Sequence, residues 1–239
     1  MMHIGGCLTS PEDSRDWVYS AVAPAAPPLP FRYTAAALPW SPKEQGSLGT
    51  CVGQAGAHLK EWQEGYNAAR MSAGYLYAEC RQLMPANTEA GAYPRDVMKT
   101  LKQYGCCKEI SYPYSSLKSD VTGIPNPAPH RAAADPQRIA SYARLYNLDD
   151  IKAAIYRDGP VLLAAIITSE FAYPINQQYI TKANGIIMGQ HAFLAVGWDD
   201  TLAYNGVTGY LRILNSWGPN WGDKGCAWCS YRYLFTEVS

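Results

Sequence analysis

Residues 45–55 read QGSLGTCVGQA, and the chain then runs on as GAHLKEWQEGY. From Cys51 onward the apolar positions Val52, Ala55, Leu59, Trp62 and Tyr66 recur at helical spacing and predict a helix. Thr50 stands where an N-cap belongs, which sets Cys51 in the first helical turn. A structural cysteine is usually found inside an apolar run. This one sits behind a glycine turn at the mouth of a helix, with Gln45 six residues upstream. Unsatisfied N–H groups at a helix start favour negative charge, so a thiol there is a candidate nucleophile.

Beyond this first helix the pattern predicts a second over Ala73–Met84. A third follows Tyr93-Pro94, with Val97, Leu101 and Tyr104 on one face and Gly105 as its stop. Asn147 caps a fourth, LDDIKAAIYRDG, which Gly159-Pro160 ends. The period then changes. VLLAAIIT, HAFLAVGW, GYLRILNSW and CAWCSYRYLF read as strands separated by turn formers. Helices first and strands second predict an α+β chain in two lobes. Ahead of them, residues 1–23 carry turn formers and two aromatics, and Pro24–Pro30 reads as a stiff extended connector. Residues 1–30 are therefore expected to form an arm strapped across the body, anchored by Trp17 and Tyr19.

The chain has 239 residues, 48% of them apolar, which is enough for one large domain or two lobes sharing a cleft. Its 20 Lys and Arg balance its 20 Asp and Glu. No global field recruits nucleic acid or an anionic membrane, and neither is an expected partner. The longest apolar segment, Val161–Ile167, has the length of a buried strand rather than of a bilayer span. The N-terminus has neither a basic nor a continuous apolar signal region. The seven cysteines include the neighbours Cys106 and Cys107, and Cys226 and Cys229, which fall on opposite faces of an expected strand. With no histidine beside that pair, no metal site is expected, and no cofactor motif is present. Mostly reduced thiols and a cytoplasmic setting follow.

A nucleophilic thiol needs a base. His58 stands seven residues along the same helix, roughly 10 Å of rise from Cys51 and too far to touch it. His3 lies in the arm and His130 in a proline-rich loop. His191, in GQHAFLAVGWDD, starts an apolar strand that would hold its ring rigidly, and is the better base. Asn215, at the end of LRILN, offers an amide oxygen to the ring's second nitrogen, with Trp217 and Trp221 nearby to exclude water. Gln45 would donate to an oxyanion beside the Cys51 backbone N–H. Singly, each residue has a plainer reading: a buried filler, a core histidine, a turn former. Four residue types in this order, with these flanks, make the plain reading fail.

The chain resembles the papain-like cysteine peptidases of the C1 family. EQGSLGTC is similar to that family's oxyanion-glutamine and nucleophile segment, HAFLAVGW to its histidine strand, and NSWGPNWGDKG to its asparagine–tryptophan segment. His191 follows Cys51 by 140 residues, within the expected interval of about 130–150. Asn215 lies 164 residues on, and the insertion-like turn LAYNGVTGY accounts for the surplus. The resemblance covers roughly Pro39 to Phe235. It implies a helical lobe over about 45–130 and an antiparallel, β-barrel-like lobe over about 135–239, within a peptidase domain of residues 31–239. It also implies that Gly91, Ala92, Tyr93 and Pro94 form a substrate wall. The backbone there would pair with an extended peptide, while Tyr93 and Pro94 line the pocket for the residue two before the scissile bond. Gly49 would leave room for the residue just before the bond, Trp221 would form part of the leaving-group side, and Trp217 would join the substrate-binding residues.

Departures from the family pattern are specific. Leu48 replaces a customary cysteine, Val52 a customary tryptophan or tyrosine, and Ala92 a customary glycine. Ser and Asp residues follow YPY where a disulfide partner is usual. Residues 1–30 are too short for the family's long helical prodomain, so control by the usual cleaved propeptide is not expected. These differences point to a reduced, prokaryotic or viral-type branch. The function implied is hydrolysis of peptide or protein substrates by an endopeptidase through a Cys51 thioester. Acyl transfer to an amine, as in a transglutaminase-like enzyme, uses the same intermediate. An inactive binding protein on the same fold is the third alternative, and the intact Cys51–His191–Asn215–Gln45 set argues against it.

Overall fold

The computed structural model describes residues 5–25, 27–35, 40–65, 69–85, 90–119 and 121–235. Tyr66 of the expected helical face, His3 and Asp120 fall outside them. The helices are α1 (Tyr19–Val22), α2 (Cys51–Glu64), α3 (Ala73–Gln82), α4 (Pro94–Gln103), α5 (Arg131–Ala134), α6 (Leu148–Asp158), α7 (Ser169–Ala172) and α8 (Tyr231–Phe235). The strands are β1 (Arg32–Thr34), β2 (Val161–Thr168), β3 (Tyr179–Ile180), β4 (Ile187–Tyr204), β5 (Val207–Leu214) and β6 (Cys226–Ser230).

The helix signals act as the sequence implies. The Asn147 side chain accepts from the Asp150 N–H at the start of α6, and Pro94 occupies the first turn of α4. Helix α2 differs in burial. Every residue from Cys51 to Glu61 is buried, so this helix is a central post rather than a one-sided surface helix. Polar groups inside it must then be paired. His58 Nε2 accepts from the Lys43 N–H at 3.0 Å, and Glu61 takes both Lys43 Nζ at 2.9 Å and the Met71 N–H at 2.8 Å. Thr50 stands at the N-cap without capping. Its hydroxyl lies 2.7 Å from the Tyr114 hydroxyl instead.

The sheet runs β1-β4-β5-β6-β3, with β2 also paired to β4. All pairs are antiparallel except β3 with β6. The β-barrel-like lobe expected above is an open sheet: β2 and β1 share successive stretches of one edge of β4, and among the described residues no ladder joins them to β3. Residues 202–210, expected as a turn, are mostly hairpin. Ala203 and Tyr204 pair with Thr208 and Val207, and Asn205 and Gly206, at φ 50° and 73°, make the two-residue turn. The last expected strand stops at Ser230. Its hydroxyl accepts from the Tyr233 N–H at 3.0 Å and starts α8.

Two apolar cores flank the sheet. One joins α2, α3 and α4 to Ala192, Leu194 and Leu214. The other holds Phe193, Ala195, Ile213, Trp217 and Phe171. Neighbouring residues of β4 serve different cores, as strand alternation requires. The same rule separates the cysteines of β6: Cys226 packs on the first core and Cys229 lies in the second. All seven cysteines are free thiols.

Candidate active site

Three segments converge where α2 meets the sheet. Cys51 opens α2 and is fully buried. The backbone N–H of Ala192 on β4 bears on its sulfur, which brings the cysteine beside the residue after His191. Asn215 follows β5, and its N–H is held by the Gly225 carbonyl at 2.9 Å. His191 Nε2 and Asn215 Oδ1 are 2.7 Å apart. The Ser216 N–H also donates to Oδ1 at 2.7 Å. Two N–H groups converging on one atom identify it as the amide oxygen, so Nε2 carries the ring proton and Nδ1 is the basic nitrogen. That Nδ1 is buried and has no hydrogen-bond partner among the described residues. The ring packs on Trp217 with centroids 4.8 Å apart and on Phe171 at 5.8 Å.

Gln45 is fixed from several sides. The Ser216 hydroxyl donates to its Oε1 at 2.8 Å, its N–H donates to the Ser216 carbonyl at 2.9 Å, and its carbonyl accepts from the Tyr114 hydroxyl at 2.8 Å. Its Nε2 donates to the Leu48 carbonyl at 2.9 Å, which draws the turn 45–50 tight before Cys51. Ser216 and Tyr114 escaped the sequence reading. Ser216 carried a signal, since it adjoins Asn215, whereas nothing local marks Tyr114.

Burial sets the charge state. It pushes the Cys51 thiol up to about 12, against lowering contributions from nearby backbone N–H groups. It also pulls His191 down to about 4, with the Asn215 bond opposing. The pair is therefore neutral in this closed form.

What closes it is the arm. The Ala92 N–H donates to the Gly6 carbonyl and the Leu8 N–H to the Ala92 carbonyl, both at 3.0 Å. On the other side the Cys7 N–H reaches the Gln190 carbonyl at 3.3 Å, and the Thr9 hydroxyl reaches Gln190 Oε1 at 3.0 Å. The backbone expected to pair with substrate thus pairs with the chain's own residues 6–8. Gly91 is clamped by the Tyr77 hydroxyl on its N–H and by Arg81 on its carbonyl, each at 3.0 Å. A Cβ on Gly6 would fall 2.2 Å from the Gly49 carbonyl oxygen, so the arm lies directly against the Gly49 backbone. Tyr93 is half-buried at the start of α4. Pro94 lines a cavity of about 890 Å³ between arm and body, together with Leu8, Met98, Leu163 and Ala165. Trp221 stacks on Phe171 at 5.6 Å and donates to the Ala172 carbonyl, so most of its surface is spent on packing.

The arm's anchors are only partly those expected. Tyr19 donates to Asp158 at 2.7 Å. Trp17 holds by its backbone, its carbonyl taking the Arg144 N–H at 2.7 Å, while its ring is half-exposed. Asp16, paired with Arg95 of α4, is the tie that the sequence reading missed.

Residues 40–233 match the model of the papain family cysteine proteases. A peptidase C1-like protein of Acanthamoeba polyphaga mimivirus is 28% identical over 216 residues, covering 81% of this chain and 65% of that protein. A cathepsin L-like proteinase of Fasciola hepatica is 22% identical over 77% of this chain and 54% of its own length. The chain thus spans about half to two thirds of these curated relatives. Among solved structures, xylellain, a cysteine protease from Xylella fastidiosa, superposes with a TM-score of 0.78 at 25% identity, covering 97% of this chain and 91% of that one. Family model, relatives and fold agree: the chain belongs to the papain family of cysteine proteases.

Proposed function

We propose that this protein is a cysteine endopeptidase that hydrolyses peptide bonds through a thioester on Cys51. The observation that carries the reading is the buried His191–Asn215 pair. It leaves Nδ1 as the basic nitrogen one residue before Ala192, whose backbone N–H favours negative charge on the Cys51 sulfur. In this mechanism Nδ1 takes the Cys51 proton and the thiolate attacks the scissile carbonyl carbon. Negative charge gathers on the carbonyl oxygen, which the Cys51 N–H and Gln45 Nε2 stabilise. The imidazolium returns its proton to the leaving amine. Water, deprotonated by His191, then releases the acid and restores the thiol.

The substrate is an extended peptide or protein segment. The arm supports this, because a continuous chain at Gly6–Leu8 already satisfies both backbone groups of Ala92. A substrate would replace it there, with Gly49 and Gly91 giving the backbone room and Pro94 facing a side chain. Residues 1–30 would then act as an arm ahead of a peptidase domain of residues 31–239. The seven unpaired thiols favour a reducing, cytoplasmic setting. Among the described residues no helix is long and apolar enough to cross a membrane.

The test is cleavage of a peptide library by the wild-type protein and by Cys51→Ala, with products identified by mass. Internal cleavage that vanishes in Cys51→Ala is the expected result. Amide products formed only with added amine would make the protein a transferase instead.

A further inference from the structure

The arm that fills the cleft carries a thiol of its own. Cys7 is the residue between the two that hydrogen-bond to Ala92, and it is 4% exposed. Its N–H is held by the carbonyl of Gln190. Two residues on, the N–H of Ala192 bears on the Cys51 sulfur. Cys7, Cys51, Ala92 and Ala192 all belong to one buried cluster. Gly6 makes the approach possible, because a side chain there would collide with Gly49, two residues before Cys51. Negative charge on Cys51 would also be felt at Cys7. Cys80, Cys106 and Cys107 belong to the same cluster and Cys226 packs against it, while Cys229 lies in the second core. Cys7 is set apart by its place on the arm, next to the Gly6 that lies against Gly49.

We propose that Cys7 and Cys51 are a redox pair, in which oxidation by a hydroperoxide joins them in a disulfide that locks the arm in the cleft. The step rests on Cys51 being the reactive thiol, as in the proposed function. While the arm is docked, Cys51 is buried and protonated, so oxidation begins when the arm lifts and the thiolate meets solvent. The thiolate attacks the peroxide O–O bond, giving a Cys51 sulfenic acid and the corresponding alcohol or water. As the arm returns, the Cys7 sulfur attacks the sulfenic sulfur. The S–S bond forms, the S–O bond breaks, and the oxygen leaves as water with the Cys7 proton. Two thiols have then supplied the two electrons that reduce one peroxide. A small thiol reverses the step by exchange. Without Cys7, the sulfenic acid would remain open to a second peroxide and pass irreversibly to sulfinic acid.

The experiment treats the full chain with hydrogen peroxide, blocks remaining thiols, digests without reduction and maps linked peptides by mass. A Cys7–Cys51 peptide that disappears on adding dithiothreitol is the expected result. No link, or Cys51 linked to another cysteine, overturns the proposal. This readout needs no peptidase activity, so it stands or falls separately from the proposed function. Where cleavage is measurable, wild type should regain its activity after peroxide followed by dithiothreitol. Cys7→Ser should regain roughly tenfold less, with Cys51 found as sulfinic acid. Equal recovery in Cys7→Ser and wild type would also overturn it. Should Cys7→Ser fail to fold, the linked peptide from wild type decides alone.

Discussion

The Ser216 hydroxyl donates to Gln45 Oε1 at 2.8 Å, across 171 residues of sequence. Because the oxygen of that amide is held from the Asn215 side, the nitrogen must point the other way, toward the turn before Cys51. The residue that follows the histidine's partner therefore orients the glutamine, and two parts of the site share one strand end.

If Gln45 is the oxyanion donor of the proposed mechanism, Gln45→Ala should lower kcat by about 10²–10³ with little change in KM. Ser216→Ala should do less. It removes a single orienting hydrogen bond, worth about 1 kcal/mol net, and should lower kcat by up to about tenfold. Steady-state kinetics on both variants check this. A Gln45→Ala enzyme changed only in KM would place Gln45 in substrate binding.

In the proposed mechanism His191→Ala should be nearly as damaging as Cys51→Ala, since a base and its nucleophile act as one unit. Asn215→Ala should retain more activity, because in that mechanism it acts only through its hydrogen bond to the His191 ring. His58→Ala should behave differently. It strands the buried Lys43 N–H, at a cost of about 1–3 kcal/mol. A lower melting temperature is expected in that variant, with a working Cys51. Active-site titration normalises the rates to folded enzyme and separates the two cases.

The arm makes its own prediction. Gly6→Val puts a side chain into the Gly49 carbonyl and asks φ of +113° from a β-branched residue, so the arm should leave the cleft. If the closed form is held by a few kcal/mol, kcat/KM should rise roughly 10- to 100-fold. Asp16→Ala, which cuts the tie to Arg95, should raise it less. Unchanged rates in both would mean that substrate displaces the arm at no cost.

Legibility in the sequence followed locality. Cys51 and Asn215 each sit at the end of an element marked by turn formers, and His191 sits in an apolar strand too short of polar neighbours to be surface. These could be read without a partner in view. The docking of Gly6–Leu8 on Ala92 could not. It is a pairing between segments some 85 residues apart, and the arm has no period to betray a strand. Helix α8 was missed for a smaller reason. Its apolar residues continue the run of β6, and only the Ser230 cap divides them. The open sheet, finally, depends on which edge of β4 receives β1 and β2, and no residue pattern encodes that choice.

Acid should destabilise the closed form through His191. An unperturbed histidine takes its proton near pH 6.5, whereas burial holds His191 down to about 4. Between these values the unfolded chain binds a proton that the native chain does not, so stability rises with pH across that window. The contribution is intact above about pH 6.5 and is lost progressively as pH falls toward 4. At pH 5 the loss from this one ring should be about 2 kcal/mol. His58, also depressed by burial, acts in the same direction, and carboxylates add their own slopes. The comparison that isolates His191 is therefore denaturant unfolding of Cys51→Ala with and without His191→Gln, at pH 7 and pH 5. The variant retaining His191 should lose the additional ~2 kcal/mol on acidification. A cheaper route than unfolding is also open to the protonated ring, since lifting the arm readmits water to it. Proteolytic susceptibility of residues 20–30 should then rise at pH 5 before global unfolding sets in, and only in proteins that keep His191. Equal losses in both proteins, with no change at the arm, would show that His191 titrates as an exposed histidine.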